Sequence, residues 1–207
     1  WYKDKGGELN FDEYNKKFVN LTNFARKTYR NLPLLFAKKI ILPSIFLRGY
    51  VKKIFPINKK NLTILYNSVD YQKANKETYS LAKKKFTFIS DNYFCIVGRL
   101  SKYKRVFSII KAFSYITEET NYKLLIIGDG PENKNLRTCV EKLNLKNKVI
   151  FTGKLEPKFV KVLIKKSKAL INFAEYEGLS HTILECMSTG NPFIASYICG
   201  NKELIDS

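Results

Sequence analysis

The residues best suited to chemistry in this 207-residue chain are charged side chains that follow short apolar runs. Gly98-Arg99-Leu100 follows one such run, and Lys104 comes five residues after Arg99. An arginine can grip two phosphate oxygens at once, and a lysine adds a compact positive charge. The spacing therefore predicts a phosphate-binding site, although solvated basic residues at the junction of a loop and a helix would fit it as well.

A second cluster follows the apolar run at residues 169–174. Gly178 and Ser180 stand just before a predicted helix, whose first N–H groups lack partners within the helix and favour an anion. Glu177 lies in the loop, and Glu185 lies about one turn or more inside the helix, where it could accept from a vicinal ribose diol. The alternatives are a carboxylate that complements the helix dipole for Glu177 and a solvated surface position for Glu185.

The order of elements from residue 93 onward predicts the sheet that positions both clusters. Short apolar runs alternate with stretches of helical spacing. The predicted strands are residues 93–97, 123–127, 149–153, 169–174 and 192–197. Such alternation forms βαβ units, so the predicted fold class is α/β, a doubly wound parallel-sheet Rossmann-like domain. Ligands of these sheets bind beyond the carboxyl ends of the strands, where both clusters fall.

The domain organisation is predicted from the place where this alternation begins. Residues 1–70 are interpreted as the C-terminal remnant of a second α/β domain, with two strands and a helix between them. The lysine-rich segment 71–92 is interpreted as a linker with a short helix, and residues 93–207 as the Rossmann-like domain, incomplete at its C-terminus. Because the chain begins without Met and stops within a predicted structural unit, we expect it to be a fragment.

The net charge and the cysteine content exclude several classes of function. The formal net charge of +19 favours an anionic partner, but only six of the 37 basic residues are Arg, on which nucleic-acid readers depend. We therefore expect no nucleic-acid partner. Four cysteines without a CxxC pair and a single histidine, His181, predict no disulfide framework, no zinc site and no Ser-His-Asp or Cys-His hydrolase. The cysteine usage makes a reducing cytoplasm the expected location, and no apolar run is long enough to span a membrane.

Together these motifs resemble the retaining glycosyltransferases of family 4, which have the GT-B fold. Glu177 and Glu185, with seven residues between them, are similar to the signature of that family. The other similar segments are Ile41-Leu42-Pro43-Ser44, Tyr66-Asn67-Ser68-Val69-Asp70, Gly98-Arg99-Leu100 with Lys104, Leu125-Ile126-Ile127-Gly128-Asp129-Gly130-Pro131, Val149-Ile150-Phe151-Thr152-Gly153, and Pro192-Phe193-Ile194-Ala195-Ser196 with Gly200-Asn201 and Glu203. The resemblance covers nearly the whole chain, and the combination is far more specific than any single motif.

The resemblance implies transfer of a sugar from a UDP- or GDP-linked donor to an acceptor hydroxyl, with retention of configuration. It implies that Arg99, Lys104 and Glu177 are catalytic, that Glu177 contacts the donor sugar, and that Glu185 binds ribose. The implied nucleotide-sugar-binding residues are Gly98, Arg99, Lys104, Gly128, Phe151, Thr152, Gly153, Glu177, Gly178, Leu179, Ser180 and Glu185. Phe151 to Gly153 would contact the base. No metal and no cofactor is expected, because cationic side chains and a helix N-terminus neutralise the diphosphate.

The resemblance also implies partners. The acceptor would be a glycan or a lipid-linked glycan in cell-surface polysaccharide or glycolipid synthesis. A stripe of lysines on one predicted helix suits peripheral contact with the anionic inner face of the plasma membrane. Its members are Lys158, Lys161, Lys165 and Lys168. Most of the N-terminal, acceptor-side domain of the family has no counterpart here, so we expect the intact protein to be active and this fragment alone to be inactive.

Two departures from the family pattern and two alternatives stay open. Arg105 stands where the family usually has Gly, and Ser180 where Gly is common; phosphate binding remains compatible with both. One alternative is another GT-B enzyme, a nucleotide-sugar epimerase or a phosphorylase, although nothing marks the pyridoxal-linked lysine of a phosphorylase. The other is a non-catalytic basic module that binds anionic membrane or nucleic acid.

Overall fold

The computed structural model describes residues 36–55, 57–69, 76–87, 92–116 and 120–207. The chain divides into two compact units, residues 1–67 and residues 68–207. The predicted domain boundaries after residues 70 and 92 border segments 70–75 and 88–91, which lie outside the described residues. Those boundaries, and the linker between them, therefore stay predictions.

Among its described residues, the smaller unit contains a two-stranded parallel sheet and one helix. Strand β1 is Ile40–Leu42, helix α1 is Ile45–Ile54 and strand β2 is Leu62–Ile64. Ser44 begins the helix, because its hydroxyl accepts a hydrogen bond from the N–H of Leu47 at 3.1 Å. The buried apolar side chains shared by these elements are Ile40, Leu42, Val51 and Leu62.

The larger unit contains a five-stranded sheet with six helices among its described residues. The elements in chain order are α2 Lys76–Lys85, β3 Tyr93–Val97, α3 Val106–Ile116, β4 Lys123–Ile127, α4 Asn133–Lys142, β5 Val149–Gly153, α5 Pro157–Lys166, β6 Leu170–Asn172, α6 His181–Thr189, β7 Phe193–Ala195 and α7 Asn201–Ile205. The strand order is β5-β4-β3-β6-β7, and every neighbouring pair is parallel. The predicted α/β fold with a doubly wound parallel sheet is confirmed.

Helices cover both faces of this sheet, as the continuous apolar strands require. In β4, Leu124 and Ile126 pack on the side of α3 and α4, while Leu125 and Ile127 pack on the opposite side. The alternation follows from the two-residue period of a strand. The second face is covered by α5, whose residues Phe159 and Val162 to Ile164 are buried.

Helix α2, in the segment predicted as a linker, packs against α5 within the larger unit. Ala82 in the helix and Phe86 just after it are buried in the same core as α5. The ring of Phe86 meets that of Phe159 edge-on, with centroids 5.7 Å apart. No helix in the described part of the chain has the length and apolar character needed to cross a bilayer.

The topology creates a crevice at the centre of the sheet. The chain runs from β3 through β4 to β5 on one side, and then crosses back to β6 and β7 on the other. The loops that follow β3 and β6 therefore lead away in opposite directions from adjacent strand ends. Open α/β sheets bind ligands at this point, beyond the carboxyl ends of the strands.

Candidate functional site

The loop after β3 places two basic residues at this crevice. Arg99 is exposed, and it lines both the cleft beside β6 and an adjoining groove beside β4. Lys104 ends a short 3-10 helix, Lys102–Lys104, and lines the first cleft with Asn172 and Phe173. The structure thus brings both predicted cations to one cleft.

Lys104 forms an ion pair with Glu177, in the loop that follows β6. The side chains of Lys104 and Glu177 are only 18% and 15% exposed, so water screens their interaction less than that of a surface pair. The two residues are 73 positions apart, and the adjacency of β3 and β6 brings them together. The sequence predicted both residues as catalytic but did not predict their pairing.

Two further contacts join the same loops. The guanidinium Nε of Arg105 lies 3.0 Å from a carboxylate oxygen of Glu175. The N–H of Glu175 also donates to the carbonyl of Tyr103 at 2.7 Å. The loops after β3 and β6 are therefore held by one backbone hydrogen bond and two ion pairs.

The ends of β3, β4 and β5 form a tightly packed row of glycines. The N–H of Gly128 donates to the carbonyl of Gly153 at 2.8 Å, and Gly98 donates to Ile127 at 3.0 Å. A Cβ atom on Gly128 would lie 2.0 Å from the carbonyl oxygen of Gly98, and the φ of Gly128 is +130°. Only glycine allows this approach without displacement of the backbone.

The groove beside this row is lined by the predicted Arg99 and by two further charged residues. These are Asp129 and Lys154, which were not among the predicted binding residues. Hydrogen bonds from the Asn133 amide and from the N–H of Gly130 lower the pKa of the Asp129 carboxyl. Lys154 directly follows Gly153 at the end of β5, and this position at a strand end was the signal that could have identified it.

The N-terminus of α6 lies at the end of β6. Ser180 is the N-cap, and its hydroxyl accepts from the N–H of Ile183 at 3.4 Å and from the Asn172 amide at 2.8 Å. Within the described residues, the N–H groups of Gly178, Leu179 and Ser180 have no hydrogen-bond acceptor. Such N–H groups beside a helix N-terminus attract anions.

The loop 177–179 is fixed from the other side by the segment before α7. The N–H of Gly200 donates to the carbonyl of Glu177 at 2.9 Å. A Cβ atom on Gly200 would lie 1.8 Å from the carbonyl oxygen of Gly178. The backbone around Glu177 is therefore held on one side by Tyr103, through the N–H of Glu175, and on the other side by Gly200.

Glu185 lies in the second turn of α6 and is half-buried. Burial raises the pKa of its carboxyl, while the charges of Lys161 and His181 act in the opposite direction. The expectation of a carboxylate inside the helix agrees with this position. His181 is the exposed first residue of the helix.

Phe151, Thr152 and Gly153 form the end of the edge strand β5. The guanidinium of Arg137 lies over the ring of Phe151, 4.5 Å from its centroid, and Phe151 is half-buried. The hydroxyl of Thr152 donates to the carbonyl of Gly153 at 2.9 Å. Gly153 contacts Gly128, so these residues border the glycine row and its groove.

The site is suited to binding an anion that also carries hydroxyl groups. Arg99, Lys104 and the N-terminus of α6 favour phosphate, and the carboxylates of Glu177 and Glu185 can accept from hydroxyls. Burial raises the pKa of the Cys95 thiol to about 12, which disfavours a thiolate nucleophile. Among the described residues, no group of His, Cys, Asp or Glu is placed to hold a metal ion.

Comparison with known proteins adds a family match and related sequences. The family model described as "Glycosyl transferases group 1" matches residues 79–207. N-acetyl-alpha-D-glucosaminyl L-malate synthase of Bacillus anthracis is 30% identical over 147 residues, which cover 70% of this chain and 38% of that protein. O-antigen chain mannosyltransferase RfbU of Salmonella typhimurium is 26% identical, over 88% of this chain and 50% of that protein. The chain spans half or less of the length of these two relatives.

Solved structures show the same fold. Anabaena Alr3699/HepE in complex with UDP and glucose has a TM-score of 0.75 at 20% identity, over 91% of this chain and 52% of that chain. WaaG, a glycosyltransferase involved in lipopolysaccharide biosynthesis, has a TM-score of 0.76 at 16% identity, over 97% of this chain and 57% of that chain. At these identities the similarity is one of fold.

Proposed function

Because the chain belongs to the family of glycosyl transferases group 1, we propose that the protein transfers a sugar from a nucleotide-sugar donor to an acceptor hydroxyl. The family match confirms the resemblance that the motifs predicted. The observation that best supports the activity is the meeting of Lys104 and Glu177 at the crevice between β3 and β6, next to Arg99. This arrangement offers cations to a diphosphate and a carboxylate to a sugar at one place.

The proposed donor diphosphate lies between Arg99, Lys104 and the N-terminus of α6. The unpaired N–H groups of Gly178, Leu179 and Ser180 support this placement. When the bond to the sugar breaks, negative charge grows on the leaving nucleoside diphosphate. Fixed positive groups stabilise that charge more in the transition state than in the bound donor, which lowers the barrier.

The nucleoside and the sugar are assigned to flanking residues. Glu185 accepts from the ribose hydroxyls, residues 151–153 contact the base, and Glu177 contacts the donor sugar after it leaves Lys104. The complex of Anabaena HepE with UDP and glucose supports a uridine donor on a similar fold, and a GDP-linked donor is the alternative. Retention of configuration is also proposed, on the similarity of Glu177 and Glu185 to the signature of the retaining family 4.

The proposed acceptor is a glycan or a lipid-linked glycan at the cytoplasmic face of the membrane. The name of RfbU, which refers to O-antigen chains, and the involvement of WaaG in lipopolysaccharide biosynthesis support an acceptor of this class. Lys158, Lys165 and Lys168 are exposed and Lys161 is half-buried, in or just after α5. We propose that this face contacts anionic lipid, because such lysines each gain about 1 kcal/mol near an anionic bilayer.

The activity is tested by incubating the full-length protein with UDP- and GDP-linked sugars and measuring release of the nucleoside diphosphate. The NMR coupling constant of the anomeric proton in the product then reports the configuration of the new glycosidic bond. We expect release with one donor class, a product with the configuration of the donor, and a loss of about a hundredfold in rate for Lys104→Met. Lys146→Met is the matched control, since Lys146 is exposed, lies between α4 and β5, and pairs with Glu141. No release with any donor, or equal rates in both variants, contradicts the proposal.

A further inference from the structure

Arg105 has a backbone conformation that glycine adopts more readily. Its φ of +52° and ψ of +29° are left-handed, and it ends the 3-10 helix that carries Lys104. For a residue with a Cβ atom this backbone conformation is unfavourable, and it persists only where the surroundings fix it. Arg105 is therefore held by interactions that outweigh the backbone strain.

The backbone of Arg105 is bonded locally, since its N–H donates to the carbonyl of Lys102 at 2.9 Å, but its side chain contacts the loop after β6. The guanidinium of Arg105 pairs with Glu175 at 3.0 Å and lies over the ring of Phe173, 5.8 Å from its centroid. The position is next to Lys104 in the chain, and Glu175 is two residues before Glu177. The ion pair of Arg105 with Glu175 thus flanks Lys104 and Glu177, which the proposed function places at the donor.

We propose that Arg105 and Glu175 are positioning residues for the donor site. Their ion pair holds the loop after β3 against the loop after β6, so that Lys104 and Glu177 stand ready for the diphosphate and the sugar. This inference rests on the proposed function. A site whose groups are already in place loses less conformational freedom when it binds, so the tether raises affinity without touching the ligand.

The exposure of the Arg105 and Glu175 side chains to water distinguishes a positioning role from a purely structural one. The side chains of Arg105 and Glu175 are 38% and 29% exposed, and ion pairs this accessible to water add little to folding stability. Replacement of Arg105 by glycine also removes the strain of the left-handed backbone. The positioning role therefore predicts that Arg105→Gly lowers the affinity for the donor without lowering the stability of the fold.

The test measures the Kd for the preferred nucleotide sugar and the thermal midpoint of the full-length protein. For Arg105→Gly we expect an equal or higher midpoint together with a three- to tenfold larger Kd, an effect of the size typical of coupled residues. Glu175→Gln keeps the backbone hydrogen bond to Tyr103 and should raise the Kd similarly. The double variant should bind no more weakly than either single variant, because both remove one tether. Glu141→Gln, which breaks an exposed ion pair with Lys146, is the matched control.

The outcomes are distinguishable. Wild-type protein that binds no nucleotide sugar overturns the proposed function and this inference with it. Normal wild-type binding together with unchanged Kd values for Arg105→Gly and Glu175→Gln overturns the inference alone. A larger Kd together with a lowered thermal midpoint in Arg105→Gly also overturns the inference, because the ion pair of Arg105 and Glu175 would then support the fold and not the donor site.

Discussion

At the scale of single residues, Lys104 is already paired with the carboxylate of Glu177 before any ligand binds. A diphosphate must compete with this carboxylate for Lys104. We therefore expect Glu177→Gln to bind a nucleoside diphosphate without sugar about fivefold more tightly, a gain of about 1 kcal/mol, while its transfer rate falls. Isothermal titration with UDP and GDP measures the change.

The matched variant for this prediction is Lys104→Met, which should weaken binding of the same nucleoside diphosphate. Both substitutions break the ion pair, so opposite effects on affinity distinguish competition from a general loss of structure. Weaker or unaltered binding in Glu177→Gln is the result that speaks against competition.

Glu185 provides a pH-dependent prediction. Burial raises the pKa of its carboxyl above the ordinary 4.5, so the folded protein binds this proton more tightly than the unfolded chain does. Its contribution to stability is present below 4.5 and is lost as the pH rises through the folded pKa. Glu185→Gln should therefore raise the thermal midpoint at neutral pH and lose that gain at about pH 4. Scans at both pH values test this, and a gain of the same size at each would contradict it.

The sequence pattern indicated charged residues that meet at the candidate site better than it indicated which of them form pairs. Arg99, Lys104 and Glu177 could be selected because charged residues after apolar runs fall at strand ends, and Glu185 because it lies inside the helix that follows. The pairing of Lys104 with Glu177 could not be predicted, since it depends on β3 and β6 being neighbours, which no local pattern encodes. The link between the Asn172 amide and Ser180 was missed for the same kind of reason, because a polar residue inside an apolar strand has no visible partner in sequence.

Among the elements, the contact between the loops after β3 and β4 depends on the absence of a side chain at Gly128. Gly128→Ala would place a Cβ atom 2.0 Å from the Gly98 carbonyl oxygen at a φ of +130°. We expect a loss of roughly 3 kcal/mol or more in the free energy of unfolding, measured by urea denaturation.

Gly190→Ala is the matched control for this substitution. Gly190 ends α6 at a φ of +70°, and nothing lies within 4 Å of a Cβ atom built there. Only the left-handed backbone is penalised, so a loss of about 1 kcal/mol is expected. Equal losses in the two variants would show that the close approach at Gly128 does not contribute to the effect.

Strand bounds were predicted best where an apolar run ends in glycine. The predicted strands 93–97, 123–127 and 149–153 match β3, β4 and β5. The observed β6 and β7 are shorter than predicted, because the apolar residues that follow them belong to loops. Ala174, for example, accepts a hydrogen bond from the hydroxyl of Ser196 outside either strand. Helix α2 has one buried residue, Ala82, and the abundant lysines around it hid its contribution to the core.

For the whole molecule, the alternation of strands and helices was enough to predict the fold class, because parallel strands need helical connections. The order of the strands was not predictable from the sequence pattern, and with it the crevice between β3 and β6. The chain spans half or less of the Bacillus anthracis and Salmonella typhimurium relatives, so the activity, substrates and partners of the whole protein are proposals.

The charge of the whole molecule leads to a membrane prediction. We expect the protein to sediment with vesicles that contain anionic lipid and to be released by salt. A triple lysine-to-glutamine variant on the α5 face should bind about a hundredfold more weakly, at about 1 kcal/mol per lysine. The residues changed are Lys158, Lys165 and Lys168.

The matched control changes three exposed lysines in or near α4 and removes the same charge. Those residues are Lys134, Lys142 and Lys146. If both triple variants weaken binding equally, the effect comes from net charge and not from the α5 face. Binding to neutral vesicles that equals binding to anionic ones also contradicts the proposal.

Binding of a nucleotide sugar in the crevice between β3 and β6 underlies the proposals on the donor site and on sugar transfer. The thermal midpoint of the full-length protein with nucleotides tests this binding directly. UDP, GDP and ADP, each alone and as a sugar conjugate, are compared at saturating concentration. A ligand that binds only the folded state raises the midpoint. We predict a rise with uridine or guanosine nucleotides that is lost in Arg99→Ala and kept in Lys146→Met. A midpoint that no nucleotide changes, or a rise that persists in Arg99→Ala, would show that the crevice is not the donor site.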